Sequence, residues 1–192
     1  MKHEITSMYT KKALSDTLKK HMETKPFSKI TVSEIIADCG LNRKTFYYHF
    51  QDMRDLLRWT LRQEAINVVE SFDFATDSEA AILFVIDYLE QNQHMLNCIY
   101  DAVGSGELRY FLNEDFTKIA RKIITTAEEQ LGKKISEEYK NLLASFYTDG
   151  IVGIIIEWLH GGIKLDKSAA VKYITEIFKG SLMGLIKLAE SN

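Results

Sequence analysis

The sequence has little that would break a helix and nothing that would cross-link a fold. Its 192 residues contain one proline, Pro26, and two cysteines. The proline marks a single enforced interruption, because the residue before a proline is pushed out of the α region. Cys39 and Cys98 lie far apart and in no Cys-x-x-Cys pattern. Two lone cysteines on helices read as small buried hydrophobes in a reducing compartment. Strictly alternating Val/Ile/Thr runs are missing, which argues against the sheet classes. No apolar run approaches the ~20 residues that span a bilayer. The strongest, Ile151–Ile156, is followed at once by Glu157. The N-terminal MKHEITSMYTKKALSDTLKK is amphipathic and charged, without the apolar core of a signal peptide. A cytoplasmic location and no membrane partner are the expectation. Repeats and low-complexity tracts are missing, as are a Gly-rich phosphate loop and a Ser/His/Asp set. His3, His21, His49, His94 and His160 are dispersed, without partners at ligand spacing. No metal, no cofactor and no catalysis are therefore expected.

What is present is apolar spacing at i, i+3 and i+4 almost throughout, at 46% hydrophobic composition. That predicts an all-α protein of about nine helices, with core enough for one large or two small domains. The net charge of −3 is unevenly spread. Residues 1–60 hold 11 Lys and Arg against 7 Asp and Glu, a net of +4, and residues 61–192 hold 13 against 20, a net of −7. A basic head on an acidic body is the asymmetry expected when only the head meets phosphate.

In chain order, residues 5–24 read as a first helix, with Ile5, Met8, Tyr9, Leu14, Leu18 and Met22 as its apolar stripe. Lys25-Pro26 ends it. Thr31-Val-Ser-Glu34 has the form of a capping box that opens a second helix through Cys39. Gly40 then stands where a left-handed residue is wanted, followed by Leu41 as the buried residue of the turn. Asn42 caps a third helix, Arg43–His49, and Asp52 caps a longer one carrying Leu56, Leu57, Trp59 and Ile66. Further helices are predicted from Asp77 or Ser78 to about Gln91, over Met95–Val103, and over Leu108–Leu131 up to Gly132. Another runs from Ser136 to His160. A last helix is capped by Ser168, with Ala170, Ile174, Ile177, Phe178, Ser181, Leu182 and Leu185 as one stripe. The expected division is 1–52 as head and 53–192 as body.

Thr31–Phe50 is the stretch with chemistry. A helix, a glycine turn and a second short helix form a helix-turn-helix, whose second helix fits a major groove about 12 Å wide. Arg43 and Lys44 sit on its first turn, and an arginine can bond guanine bidentately. Thr45, Tyr47, Tyr48 and His49 present polar tips at successive angles, and hydroxyls commonly grip phosphate. Ser33 and Thr31 can offer hydroxyls and a helix N-terminus to another phosphate. The residues alone also allow a plain three-helix bundle with an aromatic core. Phe46 and Phe50, four apart, are core on either reading.

The same stretch resembles the TetR family of bacterial transcription regulators. The family's run is close to T-V-x-x-I-A-x-x-A-G-V-S-x-G-T-F-Y-x-H-F-x-x-K-x-x-L, and residues 31–56 read TVSEIIADCGLNRKTFYYHFQDMRDL. The resemblance covers about residues 7–60. It implies phosphate contacts from Thr45, Tyr47 and His49, and a groove-facing Arg43, Lys44 and Tyr48. Lys44 replaces a frequent small residue and Cys39 an alanine. Met53 stands where the family usually has a lysine aimed at phosphate, with Arg54 next to it as the substitute. The full set expected at DNA is Thr31, Ser33, Asn42, Arg43, Lys44, Thr45, Tyr47, Tyr48, His49 and Arg54.

The resemblance also implies a homodimer on palindromic double-stranded DNA, built from the last two helices, and an effector cavity among the middle ones. Gly150 and Gly153 would let a second helix approach; the residues alone also allow this helix to be simply buried within its own protomer. Tyr88, Met95, Cys98, Phe111, Phe146, Tyr147 and Trp158 are the candidate effector residues; ordinary aromatic core fits each equally well. Lys25-Pro-Phe, the Leu41–Phe50 variant and Phe146–Leu159 are similar to a TetR subgroup that includes dihydroxyacetone-kinase operon regulators. There the resemblance implies a kinase-like protein partner in place of a small-molecule effector.

Overall fold

The computed structural model describes residues 2–74 and 76–189, and the side chains at 2–5, 102, 103, 105 and 107 fall outside that description, among them Ile5 and His3. Among the described residues the regular structure is all helical. It comprises α1 (Lys2–Met22), α2 (Val32–Asp38), α3 (Arg43–His49), α4 (Met53–Leu61), α5 (Asn67–Ser71), α6 (Ser78–Gln91), α7 (Gln93–Leu131), α8 (Glu137–Leu159) and α9 (Lys167–Leu188). A 3-10 turn, Phe27–Lys29, precedes α2, and a π turn, Arg62–Ile66, joins α4 to α5. The predicted long helix from Asp52 is thus broken by one turn of looser winding. The chain divides into two compact units, Met1–Asn67 with Asn92–Gly104, and Val68–Gln91 with Ser105–Asn192.

In the first unit α1 packs on α2 and α4, and α2 on α3. Leu14, Leu18 and Met22 are four apart, so they form one row along α1, and all three are fully buried. Met8 and Tyr9 were expected in the same stripe but are exposed. They lie six and five residues before Leu14, which at 3.6 residues per turn carries them round to the opposite side. Phe27, Ile30, Ile35, Phe46, Phe50, Leu56 and Leu57 join this core. Leu41 is only half-buried, so the turn residue contributes less than its position suggested. A buried polar pair is satisfied internally: the Thr60 hydroxyl lies 2.9 Å from both the Leu56 carbonyl and the Ser15 hydroxyl.

In the second unit α6 packs against α8 and α9. Ile124, Ala127, Leu143, Ala144, Tyr147, Leu182 and Ile186 lie at its centre. The run α7 holds a break at Gly104, whose φ of 78° and ψ of 165° leave the helix there, between the two helices the sequence predicted. Gly132, at φ 60°, ends it. Ser136 caps α8 by accepting from Tyr139 N at 3.2 Å. The cap of α9 is Asp166 and not Ser168. Asp166 Oδ1 accepts from Ala169 N at 3.0 Å and from Ser168 Oγ at 2.6 Å, so the serine lies inside the first turn. The predicted α9 stripe splits in two. Ala170 and Leu182 are buried, and Ile174, Phe178 and Leu185 are partly so, but Ile177 and Ser181 are exposed on the neighbouring row. By length and composition α8 could cross a membrane, yet its inner side is core and carries the buried Lys140.

Candidate nucleic-acid interface

The turn between α2 and α3 is fixed by three sets of local hydrogen bonds, all legible in the sequence. At the start of α2, Thr31 Oγ1 accepts from Glu34 N at 3.4 Å while Glu34 Oε2 accepts from Thr31 N at 2.9 Å. At its end, Leu41 N donates to Ile36 O at 2.9 Å and Gly40 N to Ala37 O at 3.2 Å, a Schellman motif around Gly40 at φ 63°. At the start of α3, Asn42 Oδ1 accepts from Thr45 N at 2.8 Å. Each bond satisfies a helix-end group that would otherwise need water. The result is a seven-residue second helix whose start is pinned and whose departure from α2 is fixed by the turn.

That helix buries one side and presents the other. Phe46 is fully buried and Phe50 nearly so, with their rings 6.0 Å apart and Trp59 5.9 Å beyond Phe50. Tyr48 is 70% exposed and Tyr47 48%, so these two tyrosines are not core. The Arg43 guanidinium lies 5.8 Å from the Tyr47 ring centre, one helical turn away. Such stacking orders a long side chain before it meets a ligand. Arg43, Lys44 and Arg54 are exposed, and Met53 is half-buried. Tyr48 meets His49 edge-on at 4.9 Å, and His49 is half-buried.

Two expected hydroxyls are partly committed elsewhere. Thr31 Oγ1 donates to Glu34 Oε2 at 2.9 Å, and Thr45 Oγ1 donates to Asn42 Oδ1 at 3.1 Å. Phosphate oxygens need donors, so both threonines must rotate their protons away from the caps to serve a phosphate. Asn42 itself works as a cap through its oxygen. Ser33, by contrast, is simply exposed.

Sequence reasoning missed what braces this motif from outside. Lys25 Nζ reaches Glu34 Oε1 at 2.6 Å, and His21 Nε2 reaches Asp38 Oδ2 at 2.8 Å, tying both ends of α2 to the end of α1 and the turn after it. The Lys25 ammonium, with the Thr31 N–H and hydroxyl, holds the Glu34 carboxyl down at about 2. A carboxyl depressed in the fold adds stability above its ordinary 4.5 and loses it as pH falls through about 2. Replacing Glu34 by Gln keeps a capping-box side chain but removes the charge. The melting temperature of Glu34→Gln is therefore expected below wild type at pH 6. The gap should close between pH 4.5 and about 2, as followed by circular dichroism.

The second unit holds a cavity of about 160 Å³, partly open to solvent, lined mainly by α6, the later part of α7, α8 and α9. Of the expected effector residues, Tyr147 and Trp158 line it. The other five do not. Phe146 is 65% exposed, because it is one residue from Tyr147 and so turned about 100° away. Met95 and Cys98 belong to the first unit, where burial and the nearby Asp101 push the Cys98 thiol up. Phe111 is buried away from the cavity, and Tyr88 stacks on Phe84 at 6.4 Å. The wall the sequence did not single out is aliphatic: Ile82, Ile86, Ile123, Ile151 and Ile155. Their helical spacing was visible, but spacing cannot tell the wall of a cavity from filled core.

Comparison with known proteins bears on both units. A family model described as "Bacterial regulatory proteins, tetR family" matches residues 16–58, and one described as "Transcriptional regulator C-terminal region" matches residues 76–180. The HTH-type dhaKLM operon transcriptional activator DhaS of Lactococcus lactis subsp. lactis (strain IL1403) is 23% identical over 161 residues, 84% of this chain and 85% of that one. A solved structure, described as the dihydroxyacetone kinase operon activator DhaS, superposes with a TM-score of 0.66 at 20% identity. It covers 96% of this chain and 99% of its own.

Proposed function

The chain belongs to the TetR family of bacterial transcription regulators, and from that premise we propose that it works as a homodimer on a palindromic operator, controlled by an effector received in the body. The observation that carries this reading is the exposed, pre-ordered surface of α3: Arg43 stacked on Tyr47, with Lys44 and Tyr48 beside them. Arg43, Lys44 and Tyr48 face base edges, while Tyr47, His49, Thr45, Thr31, Ser33, Asn42 and Arg54 address the backbone. Met53 leaves the usual lysine contact to Arg54. No catalytic step enters this reading.

Two copies are needed because one seven-residue helix reads too little DNA. The outer side of α8 and α9 supports the pairing. Leu142, Phe146, Tyr173 and Ile177 are large, apolar and exposed. Around them, a methyl added at Gly153, Gly180 or Gly184 would meet nothing within 4 Å, and one at Gly150 only Phe178 in ordinary contact. Glycine inside a helix costs roughly 0.5–1 kcal/mol relative to alanine. Nothing among the described residues of the protomer calls for these four glycines, whereas a second copy packing closely would.

The test is a gel shift on DNA from the chain's own promoter region. Binding is expected at low salt and should weaken steeply as salt rises, because it releases counterions from phosphates. Arg43→Ala is expected to lose about 1–3 kcal/mol of discrimination between the operator and altered bases. Tyr47→Phe should weaken binding to every sequence alike, by about 0.5–1.5 kcal/mol. The reverse pattern would exchange their roles, and no shift at any salt would end the DNA-binding reading. The likeness to a dihydroxyacetone-kinase operon activator favours a second reading, with a kinase-like protein as the effector. Co-purification with such a protein would favour it over a small molecule.

A further inference from the structure

The cavity of the second unit is shaped for a ligand of definite chemistry. Its described lining contains no Asp, Glu, Arg or His, and its one lysine, Lys179, is exposed. A cationic ligand would therefore enter without a counter-charge, and an anionic one would leave water for an apolar wall with only the exposed Lys179 to meet it, a desolvation cost that such walls do not offset. A polyol fares little better, since each hydroxyl it buries needs a partner and the buried part of the wall is mostly aliphatic and aromatic. The volume, about 160 Å³, is close to the ~150 Å³ of apolar protein cavities that hold benzene.

Ser78, Thr126, Gln130 and Lys179 reach the lining from half-buried or exposed positions, and the Tyr147 hydroxyl is bonded to Ser181; two further polar atoms are deeply buried in the wall. Thr148, on α8, and Thr175, on α9, are 3% and 8% exposed and both line the cavity. Neither hydroxyl has a hydrogen-bond partner among the described residues. This is not the habit of helical threonines here: Thr10, Thr60 and Thr117 each donate to the carbonyl four residues earlier, at 3.0, 2.9 and 2.6 Å. An unpaired buried hydroxyl is costly, and valine has nearly the same shape without that cost. Two such hydroxyls on one apolar cavity are most simply groups kept for a ligand.

We infer that this cavity binds a neutral, mainly apolar molecule of about six to ten non-hydrogen atoms, carrying one hydrogen-bonding group that Thr148 and Thr175 receive. This rests on the reading of the body as the effector-receiving part, and it names the effector's chemical class. Trp158 lines the cavity and reports occupancy directly, while the other tryptophan, Trp59, belongs to the first unit.

The experiment titrates the full chain carrying Trp59→Phe with benzyl alcohol, toluene and glycerol, following Trp158 fluorescence without DNA. Saturable binding of benzyl alcohol and toluene is expected, with none of glycerol. Adding Thr148→Val and Thr175→Val should weaken benzyl alcohol about three- to tenfold per lost hydrogen bond and leave toluene as tight or tighter. The unliganded double variant should melt no lower than its parent, because no native bond is lost. Glycerol binding, no saturation by either aromatic compound, equal loss of both in the variant, or a lowered melting temperature each overturn the assignment. A gel shift on the same preparation is scored separately. Ligand binding that leaves DNA retention unchanged upholds the ligand class and removes its effector role. An intact gel shift with an empty cavity removes the ligand class alone.

Discussion

Phe146→Glu is expected to convert the protein to a monomer that folds as before. Phe146 is 65% exposed in the protomer, and its contact there is an edge-on ring contact with Tyr147 at 5.4 Å. A charge at that position therefore costs the isolated chain little. In a two-fold interface the same substitution places two carboxylates in an apolar seam, and interface hot spots of this kind cost about 2 kcal/mol or more each. Ile177→Glu, on the exposed side of α9, should act alike, since Ile177 is 61% exposed. Light scattering on the eluting protein reads the mass, and circular dichroism confirms the fold. Operator affinity should fall with it, by about 10²- to 10⁴-fold, because the second half-site is no longer bound as an intramolecular event. A dimer that survives both substitutions would move the interface elsewhere.

The second large effect lies inside the protomer. Lys140 and Glu128 are buried together, Nζ to Oε2 at 2.6 Å, and Glu128 Oε1 also accepts from Ile135 N at 2.9 Å. Burial pushes the Glu128 carboxyl up, but the Lys140 ammonium and the Ile135 N–H together hold it below the usual range. The Glu128 carboxylate in turn raises Lys140. Glu137, 3.2 Å from Lys140, and Arg121, 2.9 Å from Glu137, extend the pair to the surface. Lys140→Met strands the Glu128 charge, and breaking a buried pair on one side costs about 3–5 kcal/mol. Chemical denaturation should show that loss above pH 4.5, where unfolded Glu128 is ionised. Adding Glu128→Gln should recover much of it, because a neutral amide can keep the Ile135 N–H bonded. Equal instability of single and double variants would mean that packing of the lysine stem, not its charge, matters at this site.

The contrast between these two sites follows what each kind of residue reveals locally. The caps of α2, α3, α4 and α8 were legible because a capping side chain bonds within three residues of itself. The Asp166 cap was misread as Ser168 because both residues are good caps, two positions apart, and only the backbone direction distinguishes them. The exposure of Tyr47 and Tyr48 followed from the shortness of α3, which cannot turn three large aromatics into one small core. The effector set fared differently. Tyr147 and Trp158 were separated from Phe146 and Tyr88 only by which way each helix is turned, and that depends on partners distant in the chain.

The sequence by itself determined the helical class, the helix-turn-helix and its caps, the chemistry offered on α3, and the family. All of these depend on neighbours within a turn or two, or on a motif read residue by residue. Tertiary structure alone decided which rows of α8 and α9 turn inward, that Lys140 and Glu128 meet, that Lys25 and His21 brace α2, and that a cavity with two unpaired threonine hydroxyls remains between four helices. Those outcomes depend on how separate helices rotate against one another, and side-chain periodicity fixes a helix's stripe without fixing what faces it.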